Sequence, residues 1–230
     1  IVNNAAKVRY MSGGQLSVPL VIRGPGSAAH QLGAQHSQSL EAWFCHVPGL
    51  KVIAPATPHD AKGLLKSAIR DPNPVIFIEA QLLYGTKGEV QEGEFTIPIG
   101  VAEVKRTGRD VTIIAYSKML LLALEAAAAL SREEVEAEVI DLRTLKPLDL
   151  QTIVASVKKT GRLVIVEEGW HFCGLGAQIA ESVYSTTFDY LDGPIRRVTG
   201  EDVPMPYCRP LEDAAIPDLP RVIEAVKSLL

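Results

Sequence analysis

The amino-acid sequence predicts an α/β protein built of two doubly wound domains. Short apolar runs alternate with stretches of helical periodicity along nearly the whole chain. Glycine- and proline-rich breaks separate them. One charged, aperiodic stretch, residues 84–98 with Gly85, Gly88 and Gly93, splits the alternation in two and suits a connector. The boundary is expected near residue 93, giving domains 1–93 and 94–230.

Taken in order, the chain opens on Ile1-Val-Asn-Asn-Ala-Ala-Lys7, which reads as the middle of a helix. It has no initiator Met, basic n-region or Arg/Ser-rich leader, so an N-terminal truncation is expected. Val18 to Arg23 is an apolar run that reads as a buried strand, running into a tight loop at Gly24-Pro25-Gly26. Pro58-His59-Asp60 opens a helix through Arg70, with Ala61, Leu64, Leu65, Ala68 and Ile69 on one face and Asp71-Pro72-Asn73-Pro74 as its stop. Val75 to Glu79 is a second strand, and strand, helix, strand in that order suggests a parallel unit. Beyond the connector come strand Val111 to Tyr116, helix Met119 to Leu130, strand Ala137 to Leu142, helix Leu148 to Val157, strand Leu163 to Glu167 and helix Ala177 to Tyr184. Ile195 to Thr199 adds a strand and Leu219 to Leu230 a closing helix. This is the pattern of a doubly wound parallel sheet.

Composition narrows the function classes. The 230 residues carry a net charge of −4 with 22% charged side chains, so there is no basic excess to attract a nucleic acid. The longest strongly apolar run, Met119 to Leu130, is interrupted by Glu125 and falls short of the roughly 20 residues a spanning helix needs, which argues against a membrane partner. Cys45, Cys173 and Cys208 are odd in number and widely spaced, fitting neither a disulfide framework nor a zinc site and pointing to a reducing compartment.

Several residues are candidates for chemistry. His36, in Gln35-His-Ser-Gln38, follows the glycine loop and so lies near the carboxyl end of a strand, where open α/β sheets place ligands; an imidazole there can move protons near neutral pH. The alternative is an ordinary hydrogen-bonded histidine. His30, His46, His59 and His171 have no better claim, His59 belonging to a helix N-terminus. A helix ending before Pro72 leaves carbonyls unpaired at the negative end of its dipole, and the oxygens of Asp71 and Asn73 stand beside them. That setting suits a hard cation, or else a plain helix stop. Gly174-Leu-Gly176-Ala-Gln-Ile179 approaches a dinucleotide fingerprint but has Ile where the third glycine belongs, so a close strand-to-helix turn is expected. Glu167 and Glu168 are adjacent on a strand and must face opposite ways, which predicts structural or interdomain roles.

Arg23-Gly-Pro-Gly26, Gly33-Ala-Gln-His-Ser-Gln38, Pro48-Gly-Leu-Lys-Val-Ile53, Asp60-Ala-Lys-Gly-Leu-Leu65 and Asp202-Val-Pro-Met-Pro-Tyr207 resemble, in order and spacing, the β subunits of thiamine diphosphate-dependent 2-oxoacid dehydrogenases, those of the pyruvate dehydrogenase complex above all. The resemblance covers essentially the whole chain. It implies a partial pyrimidine-type thiamine diphosphate-binding fold followed by a transketolase C-terminal domain-like fold. It implies oxidative decarboxylation of pyruvate with acetyl transfer to lipoyl groups, a branched-chain 2-oxoacid or acetoin dehydrogenase being the alternative within the class. A noncatalytic docking or scaffold fragment is the alternative outside it.

The resemblance further implies an α2β2 heterotetramer with β–β association and a dihydrolipoyl acyltransferase core as partner. Thiamine diphosphate is then shared with an α subunit that holds the diphosphate and magnesium, and the activating glutamate is expected before Ile1. His36 matches the family's active-site histidine. Leu20, Ala68, Ile69, Asp71 and Asn73 match its potassium site. The compartment implied is the cytoplasm in a bacterium, or the mitochondrial matrix or plastid stroma in a eukaryote. The chain departs from the pattern at Ala80-Gln81, where members often carry a second acidic residue after Glu79, and in the variable loop Ser27 to Leu32.

Overall fold

The computed structural model describes residues 1–28 and 30–230. It contains α1 (Val8–Met11), β1 (Val21–Gly26), α2 (Glu41–His46), β2 (Lys51–Ile53), α3 (Pro58–Arg70) and β3 (Val75–Ala80) in its first part. The second part holds β4 (Glu103–Arg106), β5 (Val111–Ala115), α4 (Met119–Ser131), β6 (Ala137–Asp141), β7 (Thr144–Lys146) and α5 (Leu150–Thr160). It ends with β8 (Leu163–Trp170), α6 (Leu175–Thr187), β9 (Arg196–Gly200), α7 (Arg209–Ala215) and α8 (Leu219–Lys227). Among the described residues no helix is long and apolar enough to cross a membrane.

The first sheet has strand order β1-β3-β2-β7, with β1, β3 and β2 parallel and β7 antiparallel to β2. Alternation along β3 sends Val75 and Phe77 toward α3, where they cluster with Ile53, Leu64 and Ala68. Ile76 faces the other way, into a core shared with the second part of the chain through Val52, Ala54, Tyr116, Leu142 and Leu145. The second sheet has order β4-β6-β5-β8-β9, parallel except for the edge pair β4 and β6. Its two faces are covered differently. Ile113, Val139 and Val164 cluster with α4 and α8, whereas Ile114, Ile140 and Ile165 cluster with α5 and α6. The doubly wound expectation is met.

Helix α3 begins and ends where its sequence places it. Thr57 accepts the Asp60 amide at 3.1 Å as N-cap, Pro58 occupies the first turn, and Asp71 leaves the helix in extended conformation ahead of Pro72. Helix α5 starts two residues later than periodicity suggests, because Asp149 is its cap, accepting from the Thr152 amide at 3.1 Å.

Three expectations are corrected and four short elements are added. The first strand does not stop at a tight loop; Gly24, Pro25 and Gly26 continue it, in register with Ile78, Glu79 and Ala80. Pro25 is tolerated because β1 is an edge strand and needs no donor on its outer side. Residues 2–7 form turns rather than helix, ahead of the one-turn α1. The strand whose apolar run ends ahead of Glu167 continues through both glutamates to Trp170. Finally α2, β2, β4 and β7 were invisible to periodicity, being three to six residues long.

The two parts are locked by a buried charge network. Asp60 on α3 is fully buried, with Arg143 Nη1 at 3.1 Å and Lys105 Nζ at 3.0 Å, both from the second part. Arg143, in left-handed conformation (φ 54°) between β6 and β7, also donates to the Val101 carbonyl and to Glu103. Burial alone would raise the Asp60 pKa, but Thr57, Lys105 and Arg143 together bring it below its ordinary value.

Removing one partner of such a pair strands a buried charge, so Arg143→Met is expected to lower unfolding free energy by about 3 kcal/mol. Adding Asp60→Asn should recover part of that loss. Urea denaturation of the single and double variants measures both, and a loss under about 0.5 kcal/mol for Arg143→Met would show that the pair does not couple the two parts.

Candidate functional site

From β5 the chain passes through α4 to β6 on one side, then returns through α5 to β8 on the other. The carboxyl ends of β5 and β8 therefore flank the topological switch point of the second sheet, the crevice in which open α/β sheets hold ligands. Here the crevice is filled by the first part of the chain. Glu168 Oε2 accepts from Ser27 Oγ at 2.7 Å, and Glu168 Oε1 accepts a short hydrogen bond from the Ala28 amide. Lys118 Nζ lies 2.8 Å from Glu168 Oε2 and donates to the Ala28 carbonyl at 2.9 Å. Glu167 faces the opposite way, paired with Arg197 Nη2 at 2.8 Å and accepting from the Gly176 amide at 2.9 Å. Opposed orientation and an interdomain role were both legible from the strand.

The same geometry explains the glycine motif. A Cβ on Gly174 would overlap the Trp170 carbonyl, and one on Gly176 would overlap the Glu167 carboxylate. The two glycines let α6 begin against a buried carboxylate; the turn is structural.

His36 lies on the segment joining β1 to α2, whose base is closed by a hydrogen bond from the Ser27 amide to the Gln38 carbonyl at 3.1 Å. The His36 amide donates to the Gly33 carbonyl at 3.4 Å, and the imidazole is exposed, with no hydrogen bond or ion pair to any described residue. Gly33 (φ 77°) sits under the Tyr207 ring, where any Cβ would overlap it. The neighbouring Ser37 hydroxyl is buried without a partner among the described residues.

Behind this segment, Glu41 is buried at the start of α2 and accepts from the Tyr116 hydroxyl at 2.9 Å. A small cavity of about 90 Å³ adjoins them, walled by Glu167, Trp170 and Cys173. Burial, with the nearby charges of Glu168 and Glu167, pushes the Glu41 carboxyl up to about 7, and burial pushes the Cys45 thiol up to about 12. Sequence reading missed Glu41, Lys118 and Tyr116. Their significance comes from long-range pairing, and a lone Glu in a six-residue helix carries no local signal.

At the candidate cation site, residues 68–73 and Leu20 are brought together. The Leu20 carbonyl accepts from the Val75 amide at 2.8 Å, and the Ala68 carbonyl accepts from the Asp71 amide at 3.2 Å. Asp71 Oδ1 accepts from the backbone and side chain of Asn73, while Oδ2 pairs with Lys51, a partner the sequence reading did not include. Burial would raise the Asp71 pKa, but Lys51 and Asn73 hold it below its ordinary value. Ile69 is exposed beside them. After β3, Glu79 is held by Arg23 Nε at 2.7 Å and by the Tyr84 hydroxyl at 2.7 Å, beside an apolar cleft of about 350 Å³ lined by Pro55, Pro58, Leu65 and Phe77.

Residues 2–87 match the family model for the transketolase pyrimidine-binding domain, and residues 100–222 match that for the transketolase C-terminal domain. Across the whole chain, identity is 52% to the pyruvate dehydrogenase E1 component subunit beta of Rhizobium meliloti, covering 50% of that protein. It is 54% over 99% of the chain to the mitochondrial subunit beta-2 of Oryza sativa, covering 61% of it. It is 55% over the full chain to the subunit beta of Rickettsia felis, covering 70% of it. The chain thus spans between half and about 70% of the length of these relatives. Among solved structures, a split gene transketolase described as an inactive beta4 tetramer superposes on the full chain with a TM-score of 0.75 at 28% identity, covering 73% of that chain.

The folded state keeps the Glu41 proton up to about pH 7, whereas the ordinary value is 4.5. Its contribution to stability is therefore complete below 4.5 and is lost as pH rises through about 7, by roughly 3 kcal/mol at most. Asp141, raised to about 7 by burial and by Asp60, titrates in the same direction. Glu41→Gln should accordingly reduce the fall in melting temperature between pH 4.5 and 7, and Glu41→Gln with Asp141→Asn should reduce it further. An unchanged slope in both variants would refute the assignment of buried, protonated carboxyls.

Proposed function

The chain belongs to the family of pyruvate dehydrogenase E1 β subunits, with their transketolase-type pyrimidine-binding and C-terminal domains, and from that premise we propose that it serves in the oxidative decarboxylation of pyruvate. The single observation that carries the reading from family to chemistry is His36: an exposed imidazole without an internal partner among the described residues, on a loop fixed at its base and along its length. An orphaned buried hydroxyl at Ser37 beside it suits a loop that meets a cofactor and a second chain. We place the division between the domains near residue 93, within the irregular segment that follows β3.

Thiamine diphosphate, shared with an α chain that also holds magnesium, would supply the carbon chemistry. The rest falls to side chains. Pyruvate, an oxidised lipoyl disulfide and one proton become carbon dioxide and an S-acetyl thioester with one free thiol; the S–S bond breaks, and the sulfur that is not acylated takes the proton. We assign its delivery to His36, whose imidazole is exposed and has no internal partner among the described residues. The assembly is an α2β2 heterotetramer, with β–β association, that docks on a dihydrolipoyl acyltransferase core. It works in the bacterial cytoplasm or, in a eukaryote, in the mitochondrial matrix or plastid stroma.

Potassium fits at Leu20, Ala68, Ile69, Asp71 and Asn73. The donor set is all oxygen, Asp71 stays ionised, and the Leu20 and Ala68 carbonyls each accept one hydrogen bond and keep a second lone pair. Lys51 already compensates part of the Asp71 charge, so an ion here would be held chiefly by the carbonyl oxygens. A bound ion would tie the entry of β1 to the end of α3.

Turnover by the complete αβ complex should be faster with pyruvate than with 2-oxoisovalerate; the reverse order would make this a branched-chain enzyme. Calorimetry of the isolated 230-residue chain with thiamine diphosphate should show no measurable binding. Tight binding would overturn the shared site. Potassium should raise the thermal transition of the complex more than sodium does, and equal shifts would remove the ion from this site.

A further inference from the structure

We propose that Glu168 and Lys118, residues of the second domain, are positioning residues for His36, so that the C-terminal domain governs the acyl-transfer half of the reaction from behind the loop. The inference rests on the reading of His36 above and deepens it.

The loop between β1 and α2 is held from the second domain at three points. Ser27 and Ala28 are bound by the Glu168 carboxylate and the Lys118 ammonium, both side chains under a tenth exposed. The Gln31 amide donates to Glu212 at 3.0 Å, and Gly33 lies under Tyr207. Gly33 in turn accepts the His36 amide. Ser27 and Gln31 both have positive φ, 86° and 56°, in a region where such side chains are uncommon and cost of order 1–3 kcal/mol each. A conformation of that kind persists only when its surroundings over-determine it, and here the surroundings are carboxylates of the other domain.

A buried lysine–glutamate pair is a poor choice for stability alone, because well-packed apolar residues of similar volume often do as well or better. This pair makes directional hydrogen bonds to a carbonyl, an amide and a hydroxyl on two successive loop residues. Apolar side chains could not specify that geometry. It also occupies the switch-point crevice, so the place that would otherwise take a ligand is used to aim a loop.

The test uses the complete αβ complex with full-length β chains carrying Lys118→Met, Glu168→Gln or Ser27→Ala, the last removing one hydrogen bond from a partly exposed residue and so sparing the fold. Two half-reactions are compared: pyruvate-dependent reduction of an artificial electron acceptor, and acetylation of a free lipoylated domain. The ratio of the second rate to the first is expected to fall about tenfold or more in Lys118→Met and Glu168→Gln and less in Ser27→Ala, as a displacement near 1 Å at a reacting group does. Amide exchange across residues 27–38 should rise in parallel. Equal losses in both half-reactions would mean a merely structural role and overturn the proposal. Loss of acetylation in His36→Ala with none in the clamp variants would overturn the proposal while leaving the reading of His36 intact. Full acetylation by His36→Ala would overturn that reading and the proposal with it.

Discussion

Burial of one carboxylate, Asp60, determines how the two halves of this chain meet. A fully buried negative charge must be compensated, and its compensating cations, Lys105 and Arg143, both come from the other domain. In the docking observed, Lys105 on β4 and Arg143 at the β6–β7 turn both reach it from across the seam. Arg143 adopts a left-handed conformation to do so and spends its remaining donors on Glu103 and the Val101 and Ala102 carbonyls. Just beyond it, β7 crosses to pair with β2, so the network and the hydrogen-bonded sheet edge reinforce the same docking.

With that placement set, the rest of the seam follows. The carboxyl ends of β5 and β8 open toward the β1–α2 loop, and three glutamates meet there in a region poor in water. Each is handled differently. Glu167 is neutralised by Arg197 and a helix-start amide, and Glu168 by Lys118 and the loop backbone. Glu41 has only the Tyr116 hydroxyl and its own backbone, so burial and its acidic neighbours keep it protonated near neutrality. Electrostatic compensation thus sorts three chemically identical side chains into two anchors and one neutral filler. Of the anchors, Glu168 faces the loop that carries His36, and Glu167 faces the start of α6.

How much of this was legible depended on whether the determining interaction is local. Helix α3 is legible to the residue, because the Pro58-His59-Asp60 start and the Pro72 stop each act locally, within a turn of the helix end they set. Strands β3, β5 and β6 were read nearly as well, since full burial demands continuous apolar runs. Strand β1 was misjudged at Gly24-Pro25-Gly26 because a proline is acceptable in a strand only when its neighbour lies on one side, and edge position is a property of the sheet. The end of β8 falls beyond the apolar run that marks the strand, because its last residues are held by pairing with β9 at Gly200.

By itself, then, the sequence determined the α/β class, the alternation of elements, the family through its motifs, and the candidacy of His36 and of the helix end at Asp71. All of these depend on interactions between residues near each other in the chain or on whole blocks of composition. Tertiary structure alone decided that Lys51 shares Asp71, that Glu41 is a buried neutral acid beside Tyr116, and that Glu168 and Lys118 hold a loop some 140 and 90 residues away. Charge compensation in a low-dielectric seam acts through space. Whether a given glutamate is an anchor, a solvated surface group or a protonated filler is therefore set by what the fold brings beside it.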